Sequence, residues 1–183
     1  MANDGTRGTQ GALFGREQVG GDPIGYRGPT ACSAAGISYR QLDYWARTAL
    51  VEPSVRPASG SGSQRLYSFR DILTLKVVKR LLDTGVSLPN IRLAVVHLRE
   101  RGDEDLTGIT LMSDGTTVYA CTSPDEVIDL VQGGQGVFGI AVGRVVTEVE
   151  GRLAELPSER AEPDPNAATS DELAARRKRR STA

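Results

Sequence analysis

The stretch that decides this fold is Ile37-Ser38-Tyr39-Arg40-Gln41-Leu42-Asp43-Tyr44-Trp45-Ala46-Arg47. At helical spacing its apolar side chains share one face, which carries Leu42, Trp45 and Ala46 with Ile37 beside them. The opposite face carries Tyr39, Arg40, Asp43 and Arg47, and Ser38 stands in the position of an N-cap. Donors, an acceptor and an aromatic ring on one face suit contact with phosphates and base edges. The pattern therefore predicts a recognition helix that continues to about Thr48.

A short helix precedes this one, and a flexible loop follows it. Residues 29–35 predict a helix, because Pro29 suits a first helical position and Gly36 suits the end of one. Two helices joined by a glycine-containing turn form a helix-turn-helix. Downstream, the small residues 57–63 lie between two short extended segments. They favour a hairpin wing, with an unstructured linker as the plainer alternative.

Two further helices complete this half of the chain. Ser68, with Asp71 three residues later, predicts the start of the third helix, and Gly85 predicts its end. Ser87 and Pro89 predict the start of the fourth. The outer face of the third helix carries Lys76, Lys79 and Arg80. A solvated surface is favoured over phosphate contact for each of these three.

The net charge of −1 hides an asymmetry between the two halves. Residues 28–101 hold eleven Lys/Arg and five Asp/Glu, whereas residues 102–165 hold three and thirteen. A basic block beside an acidic block fits a nucleic-acid-binding domain joined to one that does not touch phosphate. A mixed solvated surface is the alternative. Cys32 and Cys121 lie far apart with no metal-binding spacing, which favours a reducing compartment.

The second half reads as a small α+β unit. Residues 109–112 and 117–121 predict strands joined by a two-residue hairpin turn within residues 113–116. A helix from Ser123-Pro124, a buried strand over residues 137–142 and a final helix stopped by Pro157 follow. This ββαβα unit, residues 102–157, is too short to bury much core alone. We expect it to complete itself by dimerising through a strand edge or the final helix.

The termini and the remaining candidate sites carry less information. Residues 1–25 predict a disordered leader, with a docking strand at residues 24–26 as an alternative, and residues 158–183 a disordered basic tail. Its run of residues 176–180 suits either non-specific DNA affinity or simple solvation. Residues 133–136 suit a tight connection better than an anion cradle. His97 and Cys121 have no partners for catalysis or metal binding in the sequence, so we expect no enzyme, metal or cofactor.

The chain resembles the N-terminal domain of MerR-type transcriptional regulators, in a subgroup whose short C-terminal domain lacks a coiled coil. The residues that carry the resemblance are Tyr26-Arg27-Gly28-Pro29, residues 36–47, Leu50-Val51, Arg65-Leu66-Tyr67-Ser68 and residues 82–91. The resemblance implies a winged helix-turn-helix over residues 26–101, with four helices and a two-stranded wing. It also implies a homodimer that binds a two-fold symmetric operator and distorts promoter DNA. RNA polymerase is expected as a further partner, and the expected location is the cytoplasm, at the nucleoid.

The same resemblance assigns the contacts with double-stranded DNA. The residues expected to face the major groove are Ser38, Tyr39, Arg40 and Asp43. The residues expected to approach the DNA backbone are Tyr44 and Arg47. The wing is expected to contact DNA through Gln64, Arg65 and Tyr67. Two other classes remain open: an architectural DNA-bending factor of the excisionase kind without an effector, and an interaction or ligand-sensing module centred on the acidic second half. No apolar run approaches the roughly 18 residues of a membrane span.

Overall fold

The computed structural model describes residues 24–58, 64–101, 106–132 and 138–161. Its strands are β1 (Ile24–Arg27), β2 (Leu66–Tyr67), β3 (Thr110–Ser113), β4 (Val118–Cys121), β5 (Phe138–Ala141) and β6 (Glu159–Arg160). Its helices are α1 (Gly28–Ala35), α2 (Tyr39–Arg47), α3 (Phe69–Asp83), α4 (Leu88–Arg99), α5 (Pro124–Gln132) and α6 (Val142–Ala154). The prediction of a mixed α+β chain with an N-terminal helix-turn-helix is confirmed. No helix of the described ranges is long and apolar enough to cross a membrane.

Local capping chemistry places the helix-turn-helix. Helix α1 ends at Gly36, whose φ of 72° lies in the left-handed region that glycine adopts without steric cost. The Ser38 hydroxyl then accepts a hydrogen bond from the Gln41 N–H at 3.2 Å. The Gln41 side chain in turn accepts one from the Ser38 N–H at 2.9 Å. This capping box confirms the prediction that α2 begins after Ser38.

The wing is built from backbone pairing at its base. Arg56 and Leu66 exchange two backbone hydrogen bonds, of 3.1 and 2.9 Å. Strand β2 also pairs antiparallel with β1, with Tyr26 opposite Tyr67. The base of the wing is therefore part of a larger sheet and not an isolated two-stranded ribbon. The predicted loop of residues 57–63 lies mostly outside the described residues, which resume at Gln64.

The third strand of this sheet comes from the far end of the chain. Strand β6 pairs antiparallel with β1, placing Ile24 opposite Arg160 and Gly25 opposite Glu159. Residues 159–160 therefore form a strand, which corrects the prediction of a disordered tail for the part of residues 158–183 that the structure describes. The alternative of a docking strand at residues 24–26 is confirmed, so the leader does not extend to residue 25. A strand of two residues has no periodicity for a sequence to reveal. The rest of the leader (residues 1–23) and the basic run at 176–180 lie outside the described residues.

The second sheet has the strand order β4-β3-β5, and both pairings are antiparallel. Ser113 and Val118 are opposite one another, so four residues connect β3 to β4 instead of the predicted two-residue turn. The Asp114 carboxylate stabilises this connection by accepting hydrogen bonds from the N–H groups of Thr116 at 2.9 Å and Thr117 at 2.6 Å. These hydrogen bonds hold the pKa of Asp114 below its usual range. Residue 137 of the predicted fifth strand lies outside the described residues.

The two halves share one hydrophobic core. Helix α6 packs its apolar face, formed by Val142, Val145, Val146, Val149 and Leu153, against α3 and α1 of the same chain. Helix α3 is apolar on most of its circumference, so it packs against both halves at once. This corrects the expectation that the final helix offers its apolar face to a second subunit. Residues 102–157 also do not stand alone as a separate core.

An ion-pair cluster crosses the same contact. The Glu148 carboxylate on α6 lies 2.9 Å from the Lys76 ammonium and also accepts a hydrogen bond from Arg80. The hydrogen bond from Lys76 contributes most to holding the pKa of Glu148 below its usual range. Lys79 pairs with Asp83 one turn along α3. The predicted solvated cations of the third helix are therefore largely engaged within the chain.

Candidate nucleic-acid interface

The outer face of α2 presents a cluster of polar and aromatic side chains to solvent. Tyr39 is 64% exposed and Tyr44 is 48% exposed, and Arg40 and Arg47 are exposed beside them. The inner face packs on the core through Leu42 and Trp45, which are 1% and 2% exposed. The predicted division of this helix into an inner and an outer face is confirmed. Arg40 forms no ion pair with any described residue.

Asp43 joins the recognition helix to the wing. Its Oδ1 atom lies 2.9 Å from Nη1 of Arg65, and its Oδ2 atom lies 2.9 Å from Nη2 of Arg47. The hydrogen bond from Arg65 contributes most to holding the pKa of Asp43 below its usual range. The same bond raises the pKa of Arg65. Both carboxylate oxygens are thus engaged by guanidinium groups.

Tyr67 lies in the core rather than on the outer surface. Its side chain is fully buried, and its hydroxyl lies near the Arg65 guanidinium without a well-aligned hydrogen bond to any described residue. Burial raises the pKa of this hydroxyl, an effect that the neighbouring Arg65 partly offsets. Leu66 and Tyr67 point to opposite faces of β2 and both are fully buried, so the strand is covered on both faces. Helices α1 and α3 both pack against it. The expectation that Tyr67 contacts DNA is therefore corrected, whereas Gln64 is exposed as expected.

A cleft of about 510 Å³ lies between the N-terminus of α1, helix α2 and the wing. Its lining includes Arg27, Gly28, Tyr39, Asp43, Gln64 and Arg65. Gly28 allows the Tyr39 ring to approach, since a Cβ atom there would lie 3.2 Å from Cε2 of Tyr39. The cleft thus lies between helix α2 and the wing, which the Asp43–Arg65 ion pair connects.

The sequence did not point to two basic residues beside this cleft. Arg27, the N-cap of α1, pairs with Glu159 of β6. Arg56, at the base of the wing, lies 4.0 Å from the same carboxylate. These contacts hold the pKa of Glu159 below its usual range, with the Arg27 hydrogen bond as the main cause. The position of Arg56 next to the predicted wing was a usable signal, whereas nothing local identifies Glu159 as its partner.

The remaining candidate sites are dispersed. Cys121 is buried, and burial raises the pKa of its thiol and of the Cys32 thiol. His97 is exposed on α4, with Nδ1 lying 3.7 Å from the Glu100 carboxylate. Within the described ranges no three His, Cys, Asp or Glu side chains lie close enough together to hold a metal ion.

Comparison with known proteins agrees with this geometry. Residues 26–97 match the family described as MerR HTH family regulatory protein. An HTH-type transcriptional regulator of Mycobacterium tuberculosis (strain H37Rv) is 62% identical over 183 residues, which cover 97% of this chain and 81% of the relative. A counterpart in Mycobacterium bovis has the same identity and coverage. The HTH-type transcriptional regulator HmrR of Sinorhizobium medicae is 32% identical over 83 residues, 44% of this chain and 54% of that protein. The chain therefore belongs to the MerR family of HTH-type transcriptional regulators.

Proposed function

We propose that the protein regulates transcription by binding, as a homodimer, a two-fold symmetric operator whose DNA it distorts. One helix α2 enters the major groove of each half-site, and the wing lies on the flanking backbone. The observation that carries this proposal is the Asp43 bridge, which holds Arg47 of the helix and Arg65 of the wing in one arrangement. Two DNA-facing elements are thereby fixed relative to each other before DNA arrives, which lowers the entropic cost of binding.

The side chains of this surface divide by their chemistry. Ser38, Tyr39 and Arg40 stand at the first turn of α2, where side chains of a recognition helix meet base edges. Tyr44 lies about one turn later and Arg47 about two. Both suit phosphate contact, as do Gln64 and Arg65 of the wing. Asp43 acts through the two arginines it orients. Tyr67 supports the wing from the core and is not among the proposed contacts.

An in vitro selection for operator sequence followed by a binding titration tests this assignment. We expect Arg40→Ala to weaken binding and to relax discrimination at a few base positions, because arginine commonly reads guanine edges. Arg65→Ala is expected to weaken binding to all sequences alike and to reduce the salt dependence by about one phosphate contact. Arg152→Ala, an exposed arginine on α6, is the charge-matched control. Unchanged operator affinity in both DNA-face variants would show that these elements do not contact DNA.

Regulation at promoters is tested separately from binding. We expect genome-wide occupancy to cluster at promoters and permanganate or nuclease footprints to report distorted DNA between promoter elements. Reconstituted transcription with RNA polymerase then gives the sign of the effect. Dispersed occupancy without promoter preference would instead favour an architectural role in DNA bending.

A further inference from the structure

Strand β5 is the outer strand of the second sheet, and its pairing with β3 fixes the direction of its backbone groups. Residues opposite one another alternate between hydrogen-bonded and non-hydrogen-bonded pairs in an antiparallel ladder. The Val142 N–H donates to the Ile109 carbonyl at 2.9 Å, in the same register that places Ile140 opposite Leu111. Ile140 and Phe138 therefore direct their backbone groups toward β3. The N–H and C=O groups of Gly139 and Ala141 point away from it.

The opposite edge of this sheet is covered to a greater extent. Helices α4 and α5 both pack against β4. The Asn90 side chain also donates a hydrogen bond to the Thr116 carbonyl, which ties α4 to the β3–β4 connection. In the other sheet of the described residues, the outer strands β2 and β6 have only two residues each. Strand β5 is thus the longest open edge that the described chain offers, and open edges pair with other strands.

The surface beside β5 is a groove between this strand, the end of α3 and the start of α6. The groove has a volume of about 880 Å³ and contains two arginines and two carboxylates, namely Arg80, Arg144, Asp83 and Glu148. Phe138 lies in its wall and is 40% exposed, an unusual position for a phenyl ring. Arg144 is exposed and forms no ion pair with any described residue.

We propose that the edge of β5 is the dimer interface, where it pairs antiparallel with β5 of a second copy of this chain. Antiparallel pairing of one edge with itself generates a two-fold axis, so the same residues supply both sides of the contact. The two three-stranded sheets then form one six-stranded sheet across the axis. This inference rests on the proposed function, because a two-fold operator requires such an axis.

The chemistry of the groove favours a second copy over an unrelated strand. The charges of its lining side chains balance, so two copies can face each other without net repulsion. Arg144 can then approach the Asp83 carboxylate of the partner subunit, which remains 57% exposed beside Lys79. Phe138 of each subunit leaves solvent at the same time. The apolar face of α6, which the sequence offered as an alternative interface, is already covered by α3.

Ala141→Pro tests the interface with little effect on the subunit. Ala141 has a φ of −72°, which a proline ring accepts, and the preceding residue lies in a strand as proline prefers. The N–H that proline removes points away from β3, so no hydrogen bond of the ladder is lost. Phe138→Lys is an independent variant that places a charge at the edge. Val131→Lys is its control, since Val131 is likewise an exposed apolar residue, on α5.

Sedimentation equilibrium of the full chain and titrations of operator and half-operator duplexes provide the readouts. We expect the wild type and Val131→Lys to dimerise. We expect Ala141→Pro and Phe138→Lys to raise the dimer Kd at least tenfold, while half-operator binding and the urea midpoint remain close to the wild type. If Ala141→Pro fails to fold, Phe138→Lys decides the question.

Two outcomes would overturn the interface. One is a wild-type chain that remains monomeric at high concentration while binding DNA, and the other is a dimer Kd unchanged in both edge variants. A dimer that both edge variants dissociate, in a protein without affinity for any selected DNA, would support the interface while refuting the proposed function. The two proposals can therefore fail separately.

Discussion

Replacing Asp43 by alanine should weaken DNA binding even though it removes a negative charge from the DNA-facing surface. The two possible roles of this carboxylate predict effects of opposite sign. If Asp43 only repels phosphates, its removal strengthens binding by about twofold, from a Coulomb energy in water at roughly 8 Å. If it positions Arg65 and Arg47, its removal leaves both guanidinium groups to be ordered when DNA binds.

The structure indicates that the positioning effect is larger. Arg65 has a side chain only 24% exposed and is held at 2.9 Å by Asp43, so it loses a defined orientation in the variant. Ordering one such side chain at an interface costs about 0.5–1.5 kcal/mol, or roughly a twofold to twelvefold increase in Kd. Arg47, at 68% exposure, is held less firmly and adds a smaller effect. We therefore expect Asp43→Ala to bind the operator about fivefold more weakly.

Fluorescence anisotropy with a labelled operator at several salt concentrations measures this change. Glu100→Ala is the matched control, because it also removes one carboxylate that contacts a basic side chain but lies at the end of α4. Asp43→Asn should fall between the wild type and Asp43→Ala, since its amide oxygen still accepts a hydrogen bond from Arg65. If Asp43→Ala binds the operator as tightly as Glu100→Ala, or more tightly, the positioning argument is wrong.

Three further predictions concern the subunit itself and are measured by urea unfolding. Tyr67→Phe should leave DNA binding unchanged and stabilise the fold by at most about 1 kcal/mol, because the buried hydroxyl that it removes makes no well-aligned hydrogen bond. A large loss of operator affinity would show that Tyr67 does contact DNA. The lowered pKa of Glu148 means that its stabilising contribution is present above its unfolded-state pKa near ~4.3 and is lost as pH falls through the folded value. Glu148→Gln should therefore lose less stability than the wild type between pH ~5 and ~3, and equal losses would contradict the ion-pair argument. Gly143→Ala should destabilise by about 1–3 kcal/mol, since its Cβ would lie 2.5 Å from the Thr107 carbonyl oxygen, whereas Gly151→Ala on the same helix meets open space and should stabilise by about 0.5–1 kcal/mol.

The elements that the sequence predicted well are those whose causes are local. Ser38 with Gln41 and Ser68 with Asp71 each form a capping box within four residues of chain. The local sequence is therefore enough to predict where α2 and α3 begin. The buried position of Trp45 follows from helical spacing in the same way.

The contacts that the sequence did not reveal depend on distant partners. Arg80 and Lys76 looked like solvated cations because Glu148, their common partner, lies about seventy positions later in the chain. Asp43 looked like an acceptor for base edges because its contact with Arg65 exists only once the wing has folded beside α2. Tyr67 follows the half-buried Arg65 and the buried Leu66, and only packing on both faces of β2 shows that Tyr67 is buried as well.

The pairing of β1 with β6 has a consequence for how the protein is made. Arg27 and its partner Glu159 are separated by 132 residues, so the DNA-binding domain is synthesised well before its sheet can be completed. At about 5–20 residues per second, translation takes roughly 7–26 s to cover that interval. During that time the edge of β1 is open on the nascent chain, exposed to chaperones and to strands of neighbouring polypeptides. Only a chain that has been translated at least as far as β6 can therefore complete the sheet beside the DNA-binding surface.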